Sequence, residues 1–228
     1  MILKNNYLER LNANEIKKLS EFVVIENFKH HANNTLPKAY QEDVRSIYLE
    51  EINYITNSEI YVSKNSSGNI LGSIRVLKWN FKDVLPIQKI FGIHPFTVIG
   101  DIELHAIWHI GRFAIKKEAS DINLFKQLMI CAIAPICKHK GNIAFAECDS
   151  KLLRILTLLG IKATVVGESI NYLGSETIPI CMTYEGLIGF YNANKALVPT
   201  SVLNDSITNP LLPESVVFNT TNYNYSLV

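Results

Sequence analysis

The sequence predicts an α/β domain (α+β mixed) built on one mixed sheet flanked by helices, and three observations predict it. Apolar residues make up 48% of the 228, enough to bury a single substantial core. The spacing of those residues switches between the helical period of 3.6 and the strand period of 2, giving two helices, a hairpin, a strand, and then helix and strand in alternation. Turn-forming Gly, Asn and Pro fall between the periodic segments rather than inside them. The formal charge of +1 predicts no broad attraction to nucleic acid.

The opening helix follows Asn12 and Asn14, with Ile16, Leu19, Phe22, Val23 and Phe28 at helical spacing. A looser segment containing Asn33, Asn34 and Pro37 leads to a second helix, in which Val44, Ile47, Tyr48 and Ile52 are expected to form the buried stripe. Residues 58–62 and 70–76 are β-branched runs joined by a turn-rich connection, and so predict an antiparallel hairpin with Arg75 on the face of Leu71 and Leu77. From 80 to 100 the chain reads as a long irregular loop with Pro86, Gly92 and Pro95. After a central strand, Ser120 or Asp121 caps a helix that Pro135 shortens and Gly141 ends. A strand over 142–147 follows, then a helix capped by Asp149 or Ser150, with Leu152, Leu153, Leu156 and Leu159 inward and Gly160 as its stop. Strands over 162–166 and 177–183 close the sheet. The domain spans 1–193, and the Asn-, Ser-, Thr- and Pro-rich segment 194–228 reads as an extended C-terminal arm.

The central strand carries the chemistry. DIELHAIWHIGRFAIKK, residues 101–117, takes two histidines, a glutamate and an arginine through an apolar run, and each costs several kcal/mol, order of magnitude, if buried without a partner. One reading is structural, an internal pair between Glu103 and Arg112 with the histidines donating to carbonyls. Four such groups in one strand point instead to a site. The four cysteines, 131, 137, 148 and 181, lack paired metal or redox spacing and read as buried thiols, so no metal is expected. A charged start and the shortness of the run 128–137 predict no signal peptide and no transmembrane segment, hence a cytoplasmic protein.

The order of GSIRVL, WHIGRFAI and LLRILTLLGI followed by a Tyr-x-Gly turn resembles the acyl-homoserine-lactone autoinducer synthases and the related N-acyl amino acid synthases, over roughly residues 40–191. Those families share the fold of the GCN5-related N-acetyltransferases (GNAT). The resemblance implies a mostly antiparallel sheet splayed between its two middle strands, with an acyl thioester in the split. It implies that Arg75 helps shape the substrate pocket, and that Arg112 and Phe113 correspond to the family Ser-Arg-Phe element. It also places His109 where the lactone synthases carry a glutamate that assists amine deprotonation. The acid pattern Glu50, Glu51 and Asn53 departs from the family's, which argues against S-adenosylmethionine as acceptor and for an amino acid or other small amine.

The implied reaction is fatty N-acyl transfer by direct attack of an amine on a thioester, with no tightly bound cofactor. His109 is the expected base, Glu103 the second candidate, and a backbone N–H near Phe113 or Ala114 the oxyanion donor. Arg75 and Arg112 are expected on an acceptor carboxylate. Parity sets 103, 105, 107 and 109 opposite Arg112, so a β-bulge at Gly111 is required to unite them. Ile115, Ile143, Phe145, Trp79 and Trp108 are expected along the acyl tunnel. The turn KKEASDIN has no glycine to cradle a coenzyme A pyrophosphate. An acyl carrier protein is therefore favoured over coenzyme A as donor, docked on Lys151, Arg154, Lys138 and Lys140. The alternatives are a short-chain transferase using acetyl-coenzyme A and a non-catalytic domain of this fold that binds an acyl ligand or partner. A covalent intermediate on Cys148 is a further, weaker option.

Overall fold

A computed structural model describes residues 7–31, 36–100, 103–119 and 121–203. The features expected at Asn33, Asn34, Asp101 and Ser120, and in the arm beyond 203, lie outside the described residues.

Among the described residues, eight strands form the sheet: β1 (Tyr7–Arg10), β2 (Ser58–Lys64), β3 (Ile70–Lys78), β4 (Ala106–Ile115), β5 (Asn142–Cys148), β6 (Thr164–Val165), β7 (Ile170–Tyr172) and β8 (Ser175–Thr183). Their order is β1-β2-β3-β4-β5-β8-β6, with β7 paired to β8. Every pairing is antiparallel except β4 with β5. The hairpin β2–β3 forms where the β-branched runs predict it.

Helices α1 (Ile16–His31) and α2 (Tyr40–Tyr54) cover one face, and α5 (Ile122–Ile133) and α7 (Tyr184–Asn194) the other. Against α5 the strands present Ile74, Val76, Trp108, Ile110, Ala144 and Ala146, which pack on Leu128, Ile130 and Met129 in a dry apolar core. Removing a side chain of that size from water contributes about 1.5–3 kcal/mol. The cap of α5 is Asp121, whose carboxylate accepts from the Asn123 N–H at 2.9 Å. That helix stops before Pro135, which has no N–H, rather than continuing to Gly141 as expected. Helix α6 (Ser150–Leu158) is capped by Asp149, which accepts from the Leu152 N–H at 2.6 Å.

Two expectations are corrected, and two features are added. The segment 80–100 contains two short helices, α3 (Pro86–Phe91) and α4 (Pro95–Ile99), each with proline in its first turn, where its missing N–H costs nothing. On α2 the buried stripe is Val44, Ile47, Glu51 and Tyr54, while Tyr48 and Ile52 face outward. The helix is rotated to put a carboxylate inside, because two arginines wait there. Helix α7 was hidden by its two glycines, yet buries Leu187 and Phe190. Residues 195–203, the first part of the expected arm, pack on the domain: α7 is followed by α8 (Thr200–Leu203), Val198 is buried, and Arg10 donates to the Val202 carbonyl. No helix among the described residues is long and apolar enough to cross a membrane.

Candidate active site

The site lies where β4 and β5 part. Their parallel pairing runs from Ala106 opposite Asn142 to Ile110 opposite Ala146 and then stops. Beyond it β4 stays with β3 alone and bulges. Ser73 is opposite Ala114 and Arg75 opposite Gly111, so Arg112 and Phe113 together face one residue, Ile74. Arg112 takes φ of +54° at the bulge, a conformation that costs a side-chain-bearing residue about 1–2 kcal/mol. Two contacts hold it there: Ser73 Oγ donates to the Arg112 carbonyl at 2.8 Å, and the guanidinium is anchored on α2. Gly111 is required beside it, because a Cβ would stand 2.9 Å from Arg75 Nη2 and 3.2 Å from His109 Cε1. The bulge thus brings Arg112 to the face of Arg75 and His109, as parity demanded.

A chain of charges crosses this face. Glu51, fully buried, accepts at Oε1 from Arg75 Nη1 and from Arg112 Nε, each at 2.6 Å. Glu50 accepts from Arg112 Nη2 and lies 3.6 Å from Arg75 Nη1 and from Lys89 Nζ. Burial raises the Glu50 carboxyl, but Arg112 and Arg75 outweigh it and hold the group below its ordinary value. Burial opposes the charge on Arg112, while Glu51 and Glu50 more than restore it, so its pKa is raised. Arg75 is fully buried, 5.3 Å from the ring centre of Tyr54.

From Arg75 the chain continues to His109. Arg75 Nη2 lies 3.1 Å from His109 Nδ1, and a guanidinium can only donate, so Nδ1 carries the lone pair. The proton is therefore on Nε2, which donates to Glu147 Oε1 at 2.9 Å and Oε2 at 3.0 Å. Both nitrogens of His109 are taken up, and its ring is 0% exposed. Within this chain of charges, the group that meets the cavity with open lone pairs is the Glu147 carboxylate at the end of β5.

The cavity is about 580 Å3, within the range of small-molecule sites. Phe125 and Met129 of α5, with Leu152, Ile155 and Leu156 of α6, line one part. Residues of α1, α3 and the β7–β8 hairpin line the rest of it together with the strands. Leu173 (φ +47°) and Gly174 (φ +80°) make the tight turn of that hairpin, and the Leu173 carbonyl accepts from Asn27 on α1. Tyr172 lines the cavity, and burial pushes its phenol up, Arg112 opposing and Glu50, Glu147 and Asp43 adding to the rise. His31 at the end of α1 meets the cap Asp149 at 3.0 Å, and His30 reaches the Ile115 carbonyl at 2.9 Å.

The expected site residues divide. Arg75, His109, Arg112, Phe113, Ala114 and Ile115 all line the cavity. Glu103 does not: it is exposed ahead of β4, six residues and about 20 Å of extended chain from His109. Its expected partner Arg112 pairs with Glu50 and Glu51 instead. Trp79, Ile143 and Phe145 belong to the core under α3, and Trp108 to the core under α5, so these four are not among the residues lining the cavity. Lys138 and Lys140 precede β5 whereas Lys151 and Arg154 follow it, which puts the two basic pairs at opposite ends of a strand about 20 Å long. Only Lys151 is at the cavity. Cys148 lines the cavity, yet burial pushes its thiol up to about 12, which leaves almost no thiolate at neutral pH. Glu51 and Glu147 were not foreseen as parts of the site. The signal for Glu147 was strand parity, which sets it with Ile143 and Phe145 on the face of His109 once β4 and β5 are paired.

No protein-family model matches this sequence, and no curated protein matches it. Solved structures do match in shape. One is FeeM, an N-acyl amino acid synthase from uncultured soil microbes, at TM-score 0.56 and 13% identity over 85% of this chain and 98% of that one. Another is TofI in an apo form, at TM-score 0.51 and 15% identity over 85% of this chain and 99% of the other. A third is an acetyltransferase of the GNAT family from Staphylococcus aureus Mu50, at TM-score 0.51 and 13% identity over 78% and 99%. The fold is that of the GNAT acetyltransferases. The parallel pair β4–β5, zipped at one end and open at the other, is the feature of this fold beside which Arg75, His109, Arg112 and Glu147 meet the cavity.

Proposed function

We propose that this chain is an N-acyltransferase that moves a fatty acyl group from a thioester to the amine of a small acceptor by direct attack. The observation that carries the reading is the Glu147 carboxylate, fixed by His109, at the edge of an apolar cavity in the β4–β5 split. Glu147 takes a proton from the acceptor ammonium, and the freed lone pair attacks the thioester carbon. The carbonyl electrons move to oxygen, which needs a donor. In an antiparallel ladder alternate N–H groups face alternate sides, and Lys116 donates to the Leu71 carbonyl. Ala114 therefore faces β3, and Phe113 turns its N–H to the split, where it meets the oxyanion. Collapse expels the thiolate, the nitrogen sheds its second proton, and amide, thiol and one proton result.

The donor we favour has no pyrophosphate at the site. The N-terminus of α5, where a coenzyme A pyrophosphate would seek N–H groups, is already occupied by the Asp121 carboxylate. An acyl carrier protein fits better, meeting Lys151 and Arg154 beside the exposed Ile155 and Leu158 of α6. The test is mass spectrometry of lipid extracts from cells expressing the protein or its Glu147→Gln variant. A new N-acyl species absent with the variant is the expected result; its presence in both would remove Glu147 from the mechanism.

A further inference from the structure

Both arginines that an amino-acid acceptor would use are already matched. Glu50 and Glu51 balance Arg75 and Arg112 charge for charge, Lys89 adds a cation 3.6 Å from Glu50 that lies largely in solvent, and His109 bridges Arg75 and Glu147. What is left over at the acceptor end is the negative charge of Glu147. The nearest other cations on the cavity wall are engaged or remote: His31 faces Asp149, and Lys151 lies exposed on α6 at the donor side. A carboxylate arriving on the acceptor would meet Glu50 and Glu147 with no further buried cation among the described residues of the wall, and like charges repel strongly where water is scarce. An ammonium group meets the opposite situation. Pro86 and Ile90 of α3, which packs against β5, and Tyr172 give the cavity wall an apolar and aromatic part.

We infer that the acceptor is a primary amine with an apolar body and no carboxylate, recognised by Glu147. The inference rests on the acyl-transfer reading for the word acceptor, but the amine site itself can be tested by binding alone. Phenethylamine and phenylalanine differ only by the carboxylate and serve as the probes. Each is titrated calorimetrically into the wild type and into Glu50→Gln, which uncouples Arg112 Nη2 and leaves one guanidinium charge unmatched. The expected result is at least tenfold tighter binding of phenethylamine by the wild type, with the preference narrowed or reversed in Glu50→Gln. Because that variant gains affinity for the amino acid, misfolding cannot imitate the result. Equal or tighter binding of phenylalanine by the wild type, or binding of neither, overturns the inference. The same samples are then given the decanoyl thioester of N-acetylcysteamine. Selective amine binding without amide formation would leave the amine site standing and remove the acyl-transfer reading.

Discussion

The two faces of the sheet are made by the same strands and could hardly differ more. Toward α5, alternate residues of β3, β4 and β5 are Ile74, Val76, Trp108, Ile110, Ala144 and Ala146, with no charge among them. Toward α2, the residues between them include Arg75, His109, Gly111 and Glu147, joined by Arg112 through the bulge. The first face stabilises the fold by removing apolar area from water. The second holds buried charges whose mutual attraction only offsets their desolvation, so it contributes order at the split rather than net stability. A sheet whose apolar face is well packed can tolerate such a charged one, and the strained φ of Arg112 is supported in the same way.

Variants on the two faces should therefore fail differently. Glu51→Ala leaves Arg75 and Arg112 facing each other in the interior and should cost about 3–5 kcal/mol by denaturant unfolding, together with nearly all transfer activity in the folded fraction. Leu128→Ala on the apolar face should cost about 2–5 kcal/mol in the same experiment but leave activity per folded molecule close to wild type. If Leu128→Ala abolished turnover in folded protein, the separation of roles would be wrong. Gly111→Ala pushes a methyl group against Arg75 and His109 and should cost about 1–3 kcal/mol, with a fall in activity larger than the loss of folded protein explains.

The smallest effect concerns acid. Glu50 has a folded pKa below its ordinary 4.5, so its contribution to stability is complete above that value and is lost as pH falls through the lower, folded one. A melting-temperature series should show the wild type losing more stability than Glu50→Gln below about pH 4.5, and parallel curves would contradict the charge chain.

Much of the apolar face was legible in the sequence because period and punctuation report it directly: the hairpin, α5 with its Asp121 cap, and α6 between Asp149 and Gly160 form as read, although α5 stops before Pro135 rather than at Gly141. The bulge was legible too, because a glycine stood inside a strand whose polar residues fell on opposite faces. The charged face was half legible. Arg75, His109 and Arg112 announced themselves as polar residues in apolar runs. Glu51 did not, since a glutamate on an amphipathic helix reads as solvent-facing, and the true stripe is visible only when the two arginines are placed opposite it. Glu147 ends its strand beside an N-cap and reads as a boundary residue. Its role depends on β5 lying next to β4, and sheet order is not written in local periodicity. Strand β1 at four residues and α4 at five are too short for any period to show.

The most direct test of the account is the rate of amide formation from the decanoyl thioester of N-acetylcysteamine and phenethylamine, catalysed by wild type and by Glu147→Gln of equal melting temperature. The account predicts a decrease of about a hundredfold or more in the variant, the usual contribution of a positioned base. An unchanged rate in Glu147→Gln would contradict it.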